Sequence, residues 1–591
     1  MAKDKKLAEE AEDSIKAEET EDVTEHEDHG DDVLVAKHRD ISGDNAFTRL
    51  KHWYGSHKKI SIPLTIVIVV LVLLAVPFTR YKVLGMFMQK NYTVTVLDID
   101  SGKPISSADI SLASKTAKTN EKGEATINDA PLGKQKVTVT KKYYKDLSAN
   151  VTVDLSDAKN KSELKLEATG RQIPIAVTNK ITGKGIKGAK VTVLDSEAQT
   201  DEKGEATVVV PVDKKTEKVT IKLDGYNNLT ADINVSDQVS EPIKVSLVPT
   251  GKLFFLSKQS GKIDVVKTDL DGSKREIVLA GTGKEEDTGT ILLASRDWKY
   301  LALKSRRDGG RPKLYFIETA SGKLSTMDEG EAEFTPVGWQ DEHFVYQVLR
   351  TNLRPEQPRY EGLKGFNAVT QKLTALDDLQ SETGNGVGVE SYSGQPYLVD
   401  GELVFAKNWR FVGAVLPGKQ SGIFAIKPDG QGKRTVQSVE TFPRTYIQSR
   451  LYKSNELYFR LTSDRNTPTQ YFEYEDKKFA PVNNVNDETF FKDYPTYLLS
   501  PSGQATFWPE SRDGKNTLFL GNTDGDESKE IASLSEFLPY GWYTDEYLLV
   551  SKKGSELYIM SKDKGMTPLK VSDYHKPASS FYGYGGGYGG L

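Results

Sequence analysis

Three patterns of apolar and polar positions divide the chain. The first is the unbroken apolar run ISIPLTIVIVVLVLLAVPF at 60–78, nineteen positions without a charge. As a helix it would extend roughly 28 Å, close to the thickness of a bilayer's hydrocarbon, and it lacks the polar stripe of a helix on a protein core. The pattern predicts a transmembrane helix. Because 59 residues precede it and LLAVPFT offers no small-x-small cleavage site, a retained signal anchor is expected rather than a cleaved leader. The second pattern is period-two alternation, as in YTVTVLD (92–98) and AKVTVLD (189–195), punctuated by GK, EKG and DG. It predicts short strands with one buried face, joined by turns. The third begins after Thr250, where strand, Asp/Gly turn and strand recur every few tens of residues: IDVVKTDLDGSKREIV, LYFIETASGKLST, IFAIKPDGQGKRTV, LFLGNTDGDESKEI, LYIMSKDKGMTPL. PVGWQDEHFVY from 336 and PYGWYTDEYLLV from 539 also match. Units of about 40 to 50 residues predict a β-propeller over 251–575, with seven blades expected.

The alternating region repeats itself. TNEKGEAT at 119–126 returns as TDEKGEAT at 200–207, and SGKPISSADISL at 101–112 aligns with TGKGIKGAKVTV at 182–193 in the same register. Two tandem copies, 91–168 and 171–249, are each expected to form a small β-sandwich. Gly123 and Gly204 are expected to close hairpins, with Ala125 and Ala206 beginning the returning strands. The octapeptide then reads as a turn with solvated charges, not a catalytic site.

These residues resemble the carboxypeptidase regulatory-like domain, a transthyretin-like sandwich with a TGKPIxGAxV start, a TDxxGxA turn and a later GY. The second copy follows it at Thr182, Gly183, Ile186, Gly188, Ala189, Thr200, Asp201, Gly204 and DGY (224–226); the first has Ser107 in place of Gly188 and KKYY at 141–144. The resemblance implies a non-catalytic spacer or interaction module, common in exported proteins. Likewise SPSGQATFWPESRDGKNTLFLGNTDGDESKEI (500–531) resembles the repeat of TolB-like and dipeptidyl-peptidase-type propellers, although SRDWKY and SPSGQA depart from the SPDGK turn. In the peptidase relatives an attached hydrolase domain carries the chemistry, and this chain has no G-x-S-x-G motif. The resemblance implies a fold rather than an activity.

Composition agrees with a mostly β protein of several domains: 591 residues with 49 glycines and 24 prolines, rich in turns. The absence of cysteine removes disulfides, thiolate nucleophiles, lipoprotein anchoring and Cys-ligated zinc. The net charge of −5 is unevenly spread, with 16 acidic and 6 basic residues in 1–48. That segment is too polar to offset its ordering entropy and is expected to be disordered. It would be a solubilising tail or, alternatively, a dock within 1–59 for a cytoplasmic partner. Arg49, Lys51, Lys58 and Lys59 precede the apolar run, and Arg80, Lys82 and Lys90 follow it. The positive-inside bias is slight, so the exported character of the modules decides for a cytoplasmic N-terminus. The Gly/Tyr tail at 576–591 is expected to be disordered.

Candidate chemistry is sparse. Of seven histidines, His26, His29, His38, His52 and His57 precede the membrane segment and His575 lies near the tail, leaving His343 for a triad or metal site. His343 follows Asp341 and Glu342 at an expected turn and is taken as solvated. Asp269 with Asp271, and Asp524 with Asp526, lack EF-hand spacing and read as ordinary turns. No catalytic residue, metal or cofactor is expected, although 84 acidic residues leave a carboxylate hydrolase as an alternative. What remains is binding, through three loops: 304–313 with Arg306, Arg307 and Arg311; 350–366 with Arg354, Arg359 and Tyr360; and 407–422 with Trp409 and Arg410. The same residues would alternatively cover hairpins and blade cores. Nucleic acid is not an expected partner. The sequence reads as a membrane-anchored surface protein whose propeller binds an extracellular protein or glycan. The alternative is a transmembrane sensor acting through its acidic tail.

Overall fold

The computed structural model describes residues 46–75 and 88–575, apart from 237–240, 384–385, 414–418, 440–445, 453–455, 463–467, 493–496, 523–527, 533–535 and 564–566. Two compact units divide between Leu84 and Gly85. The first contains helices α1 (Ala46–Ser56) and α2 (Lys58–Ala75). Helix α1 takes in residues 46–48, so the disorder expected through 48 cannot extend that far; 1–45 lie outside the described residues. The apolar run enters α2 at Ile60, and 76–78 also fall outside. Among the described residues no single helix is long and apolar enough to cross a membrane. Leu50–Ser56 and Lys58–Val72 together meet that requirement but are bent by 115°.

The second unit is built of strands. From 89 to 247 one topology occurs twice. Gln89–Asp98 sits between Glu124–Pro131, antiparallel, and Lys161–Leu166, parallel; Arg171–Asn179 sits likewise between Glu205–Val210 and Ile243–Leu247. Each trio faces a four-stranded sheet of the same strand order in both copies. The alternation predicted from sequence is the packing: Ile173, Ile175 and Val177 from one sheet share a core with Val191, Val219 and Ile221 from the other.

The octapeptide is a corner rather than a hairpin. The strand before it (Lys115–Lys118, or Ser196–Gln199) belongs to the four-stranded sheet, and the strand after it (Glu124–Pro131, or Glu205–Val210) to the three-stranded one. Its threonine holds the crossing. Buried Thr200 accepts the Ala189 N–H at 2.8 Å and donates to the Ile186 carbonyl, and Thr119 repeats this with Ala108 and Ile105. The Asp201 carboxylate then accepts the N–H groups of Lys203 and Glu205, as the Asn120 side chain does for Lys122 and Glu124. Gly204 has φ +82°, and a Cβ there would stand 2.4 Å from the Val177 carbonyl oxygen. The position excludes other residues on both grounds.

The repeat also explains how the modules join. Asp98 and Asn179 are equivalent, and each caps the loop that follows it: Asp98 Oδ1 accepts the N–H of Ser101, and Asn179 Oδ1 those of Ile181 and Thr182. The remaining polar atom reaches the next module. Gln172 Nε2 of the second copy donates to Asp98 Oδ2 at 3.0 Å, and Asn179 Nδ2 donates to the Tyr547 hydroxyl of the last sheet at 3.0 Å. At the first joint the Lys141 ammonium donates to the Ser106 and Ser107 carbonyls and to that of Glu197 in the second copy. At the second joint Ile181, 3% exposed, enters a core shared with Leu253, Leu270 and Val571, while Lys180 pairs with Asp271 and Lys184 with Asp563.

Among the described residues seven antiparallel sheets follow: I (252–279), II (291–328), III (332–378), IV (381–439), V (446–481), VI (498–532) and VII (537–573). Among the described residues, six of the seven neighbouring pairs share cores. Phe316 of II packs with Trp339 and Phe344 of III, Val345 of III with Leu403 and Phe405 of IV, and Ile423 of IV with Phe459 and Tyr474 of V. Phe507 of VI packs with Trp542 of VII, and Val266 of I shares a core with Leu303 of II and with Leu549 and Ile559 of VII. The first sheet thus meets the last, the packing that a propeller requires. The matching PVGW and PYGW stretches lie in the first strands of III and VII. Trp339 Nε1 donates to the Leu293 carbonyl and Trp542 Nε1 to that of Leu498, so each indole ties its sheet to the one before.

Burial at the first joint holds the Lys141 ammonium down to about 8, against an ordinary 10.5. Between those values the unfolded chain binds a proton that the folded chain does not, so stability from this group rises as pH climbs from about 8 towards 10.5. Melting of the parent and of Lys141→Met at about pH 7 and about pH 9.5 checks this. The difference should move in the parent's favour at the higher pH, and a constant difference contradicts a buried ammonium.

Candidate functional site

The residues singled out from sequence are not gathered into one patch. At 304–313 the arginines are matched by acids: Arg306 pairs with Glu286 and Glu333, and Arg311 with Glu331. Arg307 donates to the Ala280 carbonyl and lies over the Tyr315 ring. In 350–366 only Arg350 and 361–366 are strand, paired as His343–Arg350 with Glu361–Asn367, and 351–360 form the hairpin loop between them. Arg359 there has φ +65° and pairs with Asp378, while its carbonyl accepts the Arg350 guanidinium. Tyr360 is half-buried, and Arg354 is exposed at the tip.

The third region differs most from a loop. Residues 407–413 complete the 12-residue strand Glu402–Gly413 of sheet IV, which changes partners along its length. Its first half pairs with Tyr397–Val399, its second half with Gly386–Tyr392, and Ser381–Thr383 adds a further strand. Sheet IV therefore has six strands and carries an arm beyond the four-stranded plan of II, III, V, VI and VII.

Alternation assigns the arm's faces. Lys407, Trp409 and Phe411 share one, opposite Tyr392, Glu390 and Gly388; Asn408 and Arg410 take the other. The rings of Trp409 and Phe411 stack 6.1 Å apart and 9° from parallel, and Lys419 Nζ lies 5.1 Å over the Trp409 ring while pairing with Glu382. Trp409 itself is 9% exposed, so it supports the platform rather than presenting it; Phe411 is half-buried and Arg410 exposed. Gly388, across from Phe411, places no side chain beside that ring.

A buried charge cluster roots the arm. Lys407 Nζ stands 3.2 Å from both Asp377 Oδ1 and Glu390 Oε2, and all three side chains are at most 8% exposed. Lys433 adds a second cation at 2.5 Å from Asp377, and the Tyr392 hydroxyl donates to Asp377 Oδ2. Burial and the Asp377 carboxylate push the Tyr392 phenol far above its ordinary value, so it serves as a fixed donor. Asp377 ends sheet III whereas the others belong to IV, so the cluster stitches two sheets at the arm's base. Sequence reasoning missed Lys407, Asp377, Glu390 and Phe411. The available signal was Lys407 at an alternating position otherwise filled by Leu403, Phe405, Trp409 and Phe411.

One further expectation is revised. His343 is not solvated: it opens a strand, is 17% exposed, and shares a 3.1 Å hydrogen bond with Asn367 directly across the strand pair. Asp269 is paired with Lys252 and Lys274, and Asp271 with Lys180. Asp524 and Asp526 lie outside the described residues, among which no group of three or more His, Cys, Asp or Glu side chains is arranged to hold a metal.

No known protein family matches the chain's sequence, and no curated protein matches it. Solved structures similar to it include an oligogalacturonate lyase in complex with manganese (13% identity over 54% of this chain and 84% of that one, TM-score 0.30). TolB from Acinetobacter baumannii is similar at 12% identity over 56% and 80%, TM-score 0.24. The shaft pilin SpaA from Lactobacillus rhamnosus GG is similar at 13% over 28% and 99%, TM-score 0.14. By its own ring of sheets the chain is a β-propeller protein, preceded by a twice-repeated two-sheet module.

Lys407→Met would leave Asp377 and Glu390 buried without their shared cation, a loss of about 3–5 kcal/mol. Chemical denaturation should show that drop. A change below about 1 kcal/mol contradicts a buried cluster at the arm's base.

Proposed function

We propose that this chain is a membrane-anchored, non-catalytic binding protein of the cell surface. In this reading residues 60–78 anchor it with the N-terminus in the cytoplasm. The copies at 91–168 and 171–249 act as carboxypeptidase regulatory-like spacers, and sheets I–VII are the seven blades of a TolB-like propeller held outside. The partner is an extracellular protein or glycan of the envelope or of a neighbouring cell. The observation that carries the reading is the arm on sheet IV: an extra pair of strands, rooted in buried charges, that offers the edge of a stacked Trp409–Phe411 pair beside Lys419 and Glu382. Such a flat apolar edge flanked by polar groups suits the face of a sugar ring or a proline or aromatic side chain. Arg410 on the reverse face and Arg354 at the tip of 351–360 are the cations most accessible for polar contacts. Arg306, Arg307, Arg311 and Arg359 already have partners and serve at most as a rim, while Tyr360 supports its hairpin.

Phe411→Ser combined with Arg410→Ser should lower attachment of the purified chain to isolated envelopes at least tenfold while leaving its melting temperature within a few degrees. Unchanged attachment by a folded variant contradicts the arm as the site. Protease added to intact cells should digest epitopes after residue 90 and spare those before 55, and protection of the propeller would contradict the surface placement.

A further inference from the structure

The two modules carry a motif that the propeller lacks. Five of the nine asparagines in 91–249 stand in an Asn-x-Ser/Thr triplet whose middle residue is not proline: Asn91, Asn150, Asn160, Asn228 and Asn234. None of the eleven asparagines in 251–575 does. Such a triplet is the acceptor signature for an N-linked sugar when it lies outside a membrane and on the surface of a fold. The structure separates the five. Asn160 is 3% exposed and uses both polar atoms, Oδ1 accepting the Asp154 N–H at 2.7 Å and Nδ2 donating to the Asp154 carbonyl at 2.9 Å. Beside Asn91 the Thr93 hydroxyl is shared with Thr126, and Asn234 Oδ1 accepts the Ser236 N–H. Asn150 and Asn228 are exposed, as are Thr152 and Thr230, and among the described residues no hydrogen bond holds any of these four side chains.

Both lie on an unguarded edge. Each module's four-stranded sheet ends in a strand paired on one side only: Leu147–Val153 on Gly133–Thr140 in the first copy, Leu229–Asn234 on Thr216–Lys222 in the second. An open edge is a template for another chain, and proteins guard such edges with charge, proline or short length. The opposite edges are guarded. Lys115–Lys118 is four residues long with a lysine at each end, and the equally short Ser196–Gln199 lies at the joint, where the Glu197 carbonyl accepts the Lys141 ammonium. Leu147–Val153, reading LSANVTV, has neither charge nor proline, and Leu229–Asn234 has only Asp232. Val151 and Val153 are buried, so alternation turns Asn150 and Thr152 outward on one face, side by side. Asn228 immediately precedes the second edge strand, which carries Thr230.

We propose that Asn150 and Asn228 carry N-linked glycans, one on each module, whose sugars cover the open edges and leave the propeller bare for its partner. This rests on the surface placement proposed above, because the donor, an oligosaccharide joined through pyrophosphate to a membrane lipid, is used on the outer side of the membrane. In the transfer the asparagine Nδ2 bonds to the anomeric carbon and the bond from that carbon to the pyrophosphate oxygen breaks. The lipid pyrophosphate leaves with the electron pair, and one amide proton passes to a base. The threonine hydroxyl two residues on is the second group by which the transferring enzyme recognises its acceptor. Neither module loses a bond by the change, since neither amide makes one among the described residues, whereas a sugar on Asn160 would have to enter the core.

Mass spectrometry of peptides from the chain purified out of its own membranes tests this, run beside protease treatment of the same intact cells. A saccharide mass on the Asn150 and Asn228 peptides is expected, with none on the Asn160 peptide or on 251–575. In the full chain Asn150→Gln and Asn228→Gln should each remove one glycan's mass. The double variant should keep its melting temperature within a few degrees but self-associate at about tenfold lower concentration than the parent. Bare Asn150 and Asn228 peptides overturn the glycans: if the propeller is digested from outside, the surface placement stands without them, and if it is protected, the placement falls as well. A double variant that associates no more readily than the parent overturns the covering of the edges.

Discussion

The structure depends on one residue used twice. Asp98 and Asn179 each close the loop after the first strand of a two-sheet module with one side-chain atom and hold the next module with the other. A short polar side chain with two separated hydrogen-bonding atoms can do both, and the choice of carboxylate or amide follows the partner: the acceptor Asp98 meets the donor Gln172, and the donor amide of Asn179 meets the Tyr547 hydroxyl. The apolar contribution differs between the joints. Ile181 is buried within the propeller core, whereas the equivalent position in the first copy is Asp100, and that joint relies on Lys141 and the Lys142–Asp195 and Lys187–Glu121 pairs. Burying an isoleucine is worth about 1.5–3 kcal/mol, more than exposed ion pairs supply. The joint to the propeller is the firmer of the two.

A rigid connection matters for the proposed role because a binding arm is useful only if its orientation is fixed. The ring supplies part of that stiffness through shared cores and through the indoles of Trp339 and Trp542, each donating to the preceding sheet. Sheet IV supplies the rest. Its extra strands leave the regular plan at Lys407, where a buried cation replaces the apolar packing found elsewhere and clamps carboxylates from two sheets. Such a cluster is strongly directional, and removing one member strands the others.

Much of this was legible in the sequence. The 81-residue offset between the octapeptides located both modules, and the Asp/Gly-punctuated strands located the sheets. What failed had physical reasons. EKG flanked by alternating residues reads as a hairpin, but whether the chain returns to its own sheet or crosses to the opposite one is decided by Thr119 and Thr200, whose bonds run to a loop eleven to fourteen residues away. His343 looked solvated because its neighbours are acidic, yet its environment is set by Asn367 across the strand pair. The arginines of 304–313 looked free because Glu286, Glu331 and Glu333 come from other segments. Trp409 looked like a contact residue and is mostly covered, while its neighbour Phe411 supplies the accessible edge. In each case local pattern gave the element and long-range pairing gave the role.

Calorimetry of Gly204→Val tests most directly whether the second module and the propeller are one cooperative body. A Cβ at Gly204 would meet the Val177 carbonyl at 2.4 Å, the Ile186 nitrogen at 2.7 Å and the Gly185 Cα at 2.8 Å, at a positive φ that valine does not tolerate. The strain, about 1–3 kcal/mol, therefore falls on the loop that carries Asn179 and Ile181 into the propeller. A joint fall in the melting of module and propeller is the predicted result. A variant whose module melts early while the propeller keeps the parent's transition would contradict the account and return the molecule to independent domains on a string.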